Sequence, residues 1–268
     1  MNIGLLIVGD EILSGKRADK HLPKVIEQLA ARGLALAWAR YVGDDPERIT
    51  ADLRDAFASG DLVFSCGGIG ATPDDHTRQC AAAALGVPLE LHPQARDFVI
   101  ERMKDVAREN GTTFDPERED NRHRLNMAVF PAGAEIIPNP YNKIAGFAIR
   151  SGAGGVFFVP GFPVMAWPMI EWVLDTHFRH LHVAPSTQER SVIVFGAMEA
   201  ALTPLMEAIE REFAGIKVFS LPSVDHPDWG RHIELGVKGR LALLEAAYAR
   251  LREGLERTGA KLGPELVR

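Results

Sequence analysis

The chain has few of the features that mark secretion, a membrane or broad nucleic-acid binding. Only two cysteines, Cys66 and Cys80, occur in 268 residues. That excludes a disulfide framework and favours a reducing, cytosolic compartment. No apolar run approaches the ~20 residues of a membrane span. The opening Met1-Asn2-Ile3-Gly4-Leu5-Leu6-Ile7-Val8 has no basic leader and turns acidic at Asp10, so it reads as a first strand rather than a signal peptide. Positive charge is not in excess: 30 Lys and Arg stand against 36 Asp and Glu, a net charge of −6. Binding of nucleic acid through bulk positive charge is therefore not expected, whereas a nucleotide needs only a local site. A Gly-x-Ser-x-Gly elbow, a Gly-Lys-Ser/Thr phosphate loop, internal repeats and low-complexity tracts are all missing.

What is present is an ordinary globular composition, 46% hydrophobic and 25% charged, with a clear alternation of elements. Residues 3–8 form a continuous apolar run, as strands buried on both faces do. Leu22, Val25, Ile26 and Leu29 recur at helical spacing and Gly33 stops them. Residues 34–42 read as a strand, Asp45-Pro46 opens a helix that ends at Gly60, and residues 61–66 are a strand again. A further helix is expected from Pro73 to Leu85. This order calls for an α/β fold, a mostly parallel sheet with helices on both faces. Residues 94–110 read as a helix and 111–124 as a charged surface loop. Short strands follow near 127–130, 134–138, 144–150 and 155–159, then a helix after Pro163. Pro185-Ser186-Thr187 reads as a boundary between a domain of residues 1–184 and one of residues 185–268. The second is expected to be a small α+β domain of β-α-β-β-α order.

The segment Ser65-Cys66-Gly67-Gly68-Ile69-Gly70-Ala71-Thr72-Pro73-Asp74-Asp75 carries the most chemistry. It leaves a buried strand through three glycines, Gly67, Gly68 and Gly70, whose bare amides suit an anion at a strand–helix junction. The third glycine of the dinucleotide fingerprint is replaced, with Pro73 at its place, so a Rossmann site is disfavoured. Thr72 can add a hydroxyl to a phosphate. Thr72, Pro73 and Asp75 equally fit a cap on a helix opening at Pro73. Asp74 and Asp75 beside a phosphate would repel it unless a cation lay between, and Mg²⁺ held by one or two carboxylates plus ligand oxygens is the usual solution. Asp10, at the end of the first strand, joins them as a candidate metal or ligand residue if the first and third strands are neighbours. Lys143, in a turn of Asn and Pro, is a candidate phosphate partner. Gly161, in Val159-Pro160-Gly161-Phe162-Pro163, could lend backbone amides to the same crevice. Cys66 reads as a small strand-end residue rather than a nucleophile, and His177, His180 and His182 as the cationic end of a helix.

Several segments in order resemble the N-terminal portion of the competence/damage-inducible protein A (CinA) family, which shares the molybdopterin-binding fold of MoaB and Mog. They are Val8-Gly9-Asp10-Glu11-Ile12-Leu13-Ser14-Gly15, Val42-Gly43-Asp44-Asp45, Gly67 to Thr77, Asn139 to Gly146 and Pro160 to Pro163. Gly196-Ala197-Met198-Glu199 and the tail are similar to the small domain that follows in that family. The resemblance implies a molybdopterin-like or nucleotide ligand. Some such proteins are pyrophosphatases acting on ADP-ribose, and a related domain accompanies eukaryotic FAD synthases. The chain stops before the amidohydrolase domain of many full-length members, so deamidation of nicotinamide mononucleotide is not implied. Ala71 stands where Pro is common, and Asn142-Lys143-Ile144-Ala145-Gly146 replaces a smaller loop.

The resulting expectation is a cytosolic, homo-oligomeric protein that binds a phosphate-bearing nucleotide or pterin. Gly67, Gly68 and Gly70 hold phosphate. Asp75, with Asp10 or Asp74, holds Mg²⁺ or another divalent cation, and Asp75 and Lys143 assist cleavage of a diphosphate linkage. The alternative is non-hydrolytic binding of molybdopterin or its adenylated form.

Overall fold

A computed structural model describes residues 1–183 and 187–267. The expected boundary at Pro185-Ser186-Thr187 falls largely outside the described residues. Two compact units are present, Met1–His182 and Val183–Arg268.

In the first unit the chain runs β1 (Ile3–Val8), α1 (Asp10–Leu13), α2 (His21–Ala30), β2 (Trp38–Val42), α3 (Pro46–Ser59), β3 (Leu62–Cys66) and α4 (Thr77–Leu85). It continues through β4 (Leu89–Leu91), α5 (Pro93–Glu109), α6 (Glu119–Arg124), β5 (Val129–Pro131), β6 (Glu135–Ile137), β7 (Gly146–Ser151), β8 (Gly154–Val159) and α7 (Pro163–His177). A six-stranded sheet has the order β2-β1-β3-β8-β7-β6. β2, β1, β3 and β8 are parallel, and β7 and β6 return antiparallel. β4 and β5 form a separate small ladder.

Every residue of β1, β3 and β8 is buried, because helices cover both sheet faces. Leu5, Ile7, Phe64 and Phe157 pack with α2 and α7 on one side. Leu6, Val8, Val63 and Phe158 pack with α3, α4 and α5 on the other. Asp45 caps α3 by accepting from the Arg48 amide at 2.9 Å, and Gly60 ends it in the left-handed region.

Two local expectations are corrected. α4 begins at Thr77, not Pro73. Asp75 accepts from Thr72 N (2.8 Å) and Thr72 Oγ1 (2.6 Å), and Asp75 N donates back to Thr72 O (3.0 Å), closing a turn of its own ahead of the helix. Within the expected loop 111–124, Glu119–Arg124 is helical, with Glu119 and Asp120 in the first turn and Arg122 to Arg124 in the last. That charge order complements the helix dipole.

The second unit runs β9 (Thr187–Phe195), α8 (Glu199–Glu212), β10 (Lys217–His226), β11 (Gly230–Arg240), α9 (Leu241–Arg257) and β12 (Lys261–Val267). Its antiparallel sheet has the order β10-β11-β9-β12. Val192, Val194, Leu235 and Val237 pack against Leu202, Ile209, Leu244, Leu251 and Leu255 of the two helices. β12 extends the expected β-α-β-β-α order by one strand. It lies at the sheet edge, and the pairing shifts register around Gly263-Pro264. An edge with a register shift tolerates proline, and the same Gly-Pro pair hides the strand pattern. No helix among the described residues is long and apolar enough to cross a membrane.

Candidate active site

Because β1, β3 and β8 are parallel neighbours, their carboxyl ends lie side by side. The chain leaves them through Gly9, Gly67 and Pro160. In open α/β sheets, ligands bind in the crevice outside these ends. Here the crevice is a cleft of about 520 Å³ lined by Gly9, Glu11, Arg17, Asp44, Gly67 to Thr72, Asp74, Asp75 and Pro160 to Phe162. Met127, Asn142, Ile144, Ala145 and Met165 complete a mostly apolar wall.

The glycine loop is held from both ends. Gly67 N donates to Val159 O at 3.0 Å, and Thr77 N donates to Gly68 O at 2.9 Å. The buried Thr77 hydroxyl donates to Gly67 O at 3.1 Å. Gly67 and Gly68 have φ of 107° and 68°, a region that L side chains avoid. A Cβ on Gly67 would lie 2.3 Å from Val8 O, and one on Gly68 would lie 2.1 Å from Thr77 Oγ1. These two positions therefore demand glycine on steric as well as conformational grounds. The amides of Gly68, Ile69, Gly70 and Ala71 meet no acceptor among the described residues. Four consecutive free donors on a fixed loop can accept an anion without reorganising.

The carboxylates divide by commitment. Asp10 is placed at the edge of the cleft but does not line it. Its Oδ1 accepts from Asp44 N (3.1 Å) and Asp44 Oδ2 accepts from Asp10 N (2.9 Å). Asp75 lines the cleft with Oδ2 spent on Thr72. Asp74 is exposed, and the Thr72 hydroxyl beside it holds its carboxyl below the usual range. Asp44 is pushed the other way. Burial raises its pKa, and the negative charges of Asp10, Glu11 and Asp74 add to the effect against its bond from Asp10 N.

Lys143 is not brought to the cleft. It sits in the left-handed region with φ 66°, and its ammonium meets Asp105 (2.8 Å) and Glu101 (3.2 Å) of α5. The residues around it do reach the cleft. Asn139 is buried and ties Asn142 Oδ1 (2.8 Å) and Ile144 O (2.9 Å) into a fixed turn. Gly161 lines the cleft, and its carbonyl lies 2.9 Å from Nε2 of the buried His21. Cys66 is buried, and burial drives its thiol pKa far upward, which removes it as a nucleophile.

Sequence reasoning overlooked Arg17, Glu11, Asp44, Asn142 and Phe162 as lining residues. Arg17 is a cation on the cleft wall with no carboxylate within 4 Å among the described residues. Phe162 is 56% exposed and lines the same cleft as the free amides. Its position directly after Pro160-Gly161 was the available signal. No group of three or more His, Cys, Asp or Glu side chains that could hold a metal ion exists among the described residues. With Asp10, Asp44 and Asp75 bonded to backbone amides, the residues present do not form a resident cation site.

The family described as "Probable molybdopterin binding domain" matches residues 4–180. The chain belongs to this family. Its curated relatives include a CinA-like protein of Anaeromyxobacter dehalogenans (strain 2CP-C), 37% identical over 175 residues, covering 65% of this chain and 40% of the relative. A CinA-like protein of Anaeromyxobacter sp. (strain Fw109-5) is 34% identical over 212 residues, covering 77% of this chain and 49% of the relative. The chain thus spans about half the length of the curated relatives it matches. Among solved structures, the CinA protein of unknown function from Thermoplasma acidophilum aligns with a TM-score of 0.53 at 26% identity, covering 65% of this chain and 98% of that one. The family match takes in all of the cleft-bearing sheet except Ile3.

Proposed function

We propose that the cleft binds a phosphate-bearing pterin or nucleotide of the molybdopterin class. The observation that carries this reading is the run of free amides from Gly68 to Ala71, fixed at the carboxyl ends of β1, β3 and β8. In this reading the phosphate settles on those amides and on the Arg17 guanidinium, which suits phosphate oxygens geometrically. The planar ring lies against Phe162 and the apolar wall of Met127, Ile144 and Met165, where an exposed aromatic can stack. The polar groups of Asn142 and Asp44 at the same wall are the candidates for ring recognition.

Cleavage of a diphosphate linkage, as in ADP-ribose or FAD, is the second reading. One observation favours it: Glu11, Asp44 and Asp74 stand beside the phosphate donors. They would repel a phosphate unless a cation arrived together with the ligand. The residues do not assemble a cation site by themselves, so no catalytic step is assigned. Equilibrium titration with molybdopterin and with ADP-ribose tests both readings, followed by assay for AMP in the presence of Mg²⁺ or Co²⁺. Micromolar pterin binding without AMP supports the first reading. AMP release that depends on the added metal supports the second. Absence of binding to either ligand overturns both.

A further inference from the structure

Arg78, at the start of α4, is a charge without a counter-ion. It is 4% exposed, and no carboxylate lies within 4 Å of it among the described residues. Nη2 donates to Gly70 O at 2.6 Å. Nε is sealed from solvent with no acceptor, and Nη1 has none among the described residues. Burial works against its charged form, offset in part by Asp75, whose Oδ2 is already spent on Thr72. Arginine does not shed its proton, so a buried guanidinium stays charged and calls for an anion.

A second cavity of about 440 Å³ opens at this residue. It shares Ala71, Thr72 and Asp75 with the main cleft but is otherwise lined by different groups, including His76, Gln79 and Asn126. The first turn of α4 faces it. The Thr77 amide is used on Gly68 O and the Cys80 amide on His76 O, whereas those of Arg78 and Gln79 meet no acceptor among the described residues. Two free first-turn amides at the positive end of a nine-residue helix add to the guanidinium.

We propose that this second cavity is an anion site for a phosphate-class oxyanion, held by the Arg78 guanidinium and the amides of Arg78 and Gln79. It does not depend on which ligand fills the main cleft. The probe is inorganic phosphate, titrated into the full chain while ¹H–¹⁵N shifts are followed, with sodium chloride of equal ionic strength as control. Saturable shifts of the Arg78 and Gln79 amides with phosphate, but not chloride, are expected. Arg78→Gln should raise the midpoint at those amides at least tenfold, and Arg78→Lys should retain part of the affinity. If Arg78 only braces Gly70, the wild-type amides will not saturate, or chloride will move them equally, and the proposal falls. It falls too if a folded Arg78→Gln protein titrates like wild type. Should Arg78→Gln not fold, the wild-type titration against chloride decides. Shifts at Gly68 and Ile69, which line the main cleft but not the second cavity, report the main cleft separately, so failure of one site is distinguishable from failure of the other.

Discussion

Gly68→Ala is the sharpest single perturbation of the glycine loop. The residue has φ 68°, and a Cβ there would lie 2.1 Å from Thr77 Oγ1. Forcing an L residue into the left-handed region costs about 1–2 kcal/mol. The Thr77 hydroxyl must also leave its bond to Gly67 O, and a buried group stripped of its partner costs about 1–3 kcal/mol. The expected total is about 2–5 kcal/mol, which for a chain of this size lowers Tm by roughly 5–15 °C. Gly60→Ala is the matched control. It has φ 69° but nothing within 4 Å of the added Cβ, so it carries only the conformational part, about 1–2 kcal/mol. Thermal unfolding followed by circular dichroism compares the two, and calorimetric titration with a pterin phosphate compares their affinities. Gly68→Ala should lose both the larger stability and at least tenfold in affinity, with affinity unchanged in Gly60→Ala. Equal stability losses and equal affinities in the two variants would refute the account of the loop.

Other substitutions test the remaining parts of the site. Asp44 has a pKa raised in the folded state by burial and by its acidic neighbours. Its favourable contribution is therefore present at low pH and lost as pH rises through the folded value. Asp44→Asn, which keeps an oxygen to accept from Asp10 N, should raise Tm at pH 7 and leave it unchanged near pH 3. Phe162→Ala should weaken pterin binding several-fold in a fluorescence titration with little change in Tm, because the ring is more than half exposed. Lys143→Gly removes ion pairs worth about 0–1 kcal/mol at the surface and relieves a left-handed backbone. Its stability should stay within about 1 kcal/mol of wild type, and its ligand affinity should not move. Asp175→Asn breaks the two-pronged pair with Arg32. Because that pair lowers the Asp175 pKa, the cost, up to about 1 kcal/mol at pH 7, should vanish as the pH falls through the folded value.

The parts of this fold that depend on local pattern were legible in the sequence, and those that depend on distant partners were not. The apolar runs at residues 3–8 and 62–64 announce strands covered on both faces, and Asp45-Pro46 with Gly60 brackets α3 almost to the residue. The bringing together of Gly9, the glycine loop and Pro160-Gly161 follows once β1, β3 and β8 are taken as neighbours. The start of α4 differs from its sequence signal because Thr72 and Asp75 have the chemistry of a helix cap and use it to close a separate turn. Lys143 reads as a phosphate partner because its charge is visible in sequence, whereas Asp105, 38 positions away, is not visibly its partner. The mutual bonding of Asp10 and Asp44 is hidden for the same reason. Arg78 escaped notice because a charged residue in a helical pattern is normally solvated, and nothing local records that this one is buried. β12 was lost to Gly263-Pro264, which its edge position tolerates.

The central claim is that the free amides of Gly68 to Ala71 receive the phosphate of a pterin or nucleotide. Amide hydrogen exchange with and without a saturating pterin phosphate tests it most directly. The account predicts strong new protection at Gly68, Ile69, Gly70 and Ala71, with little change in the second unit. Bound ligand with no added protection in that loop would contradict it.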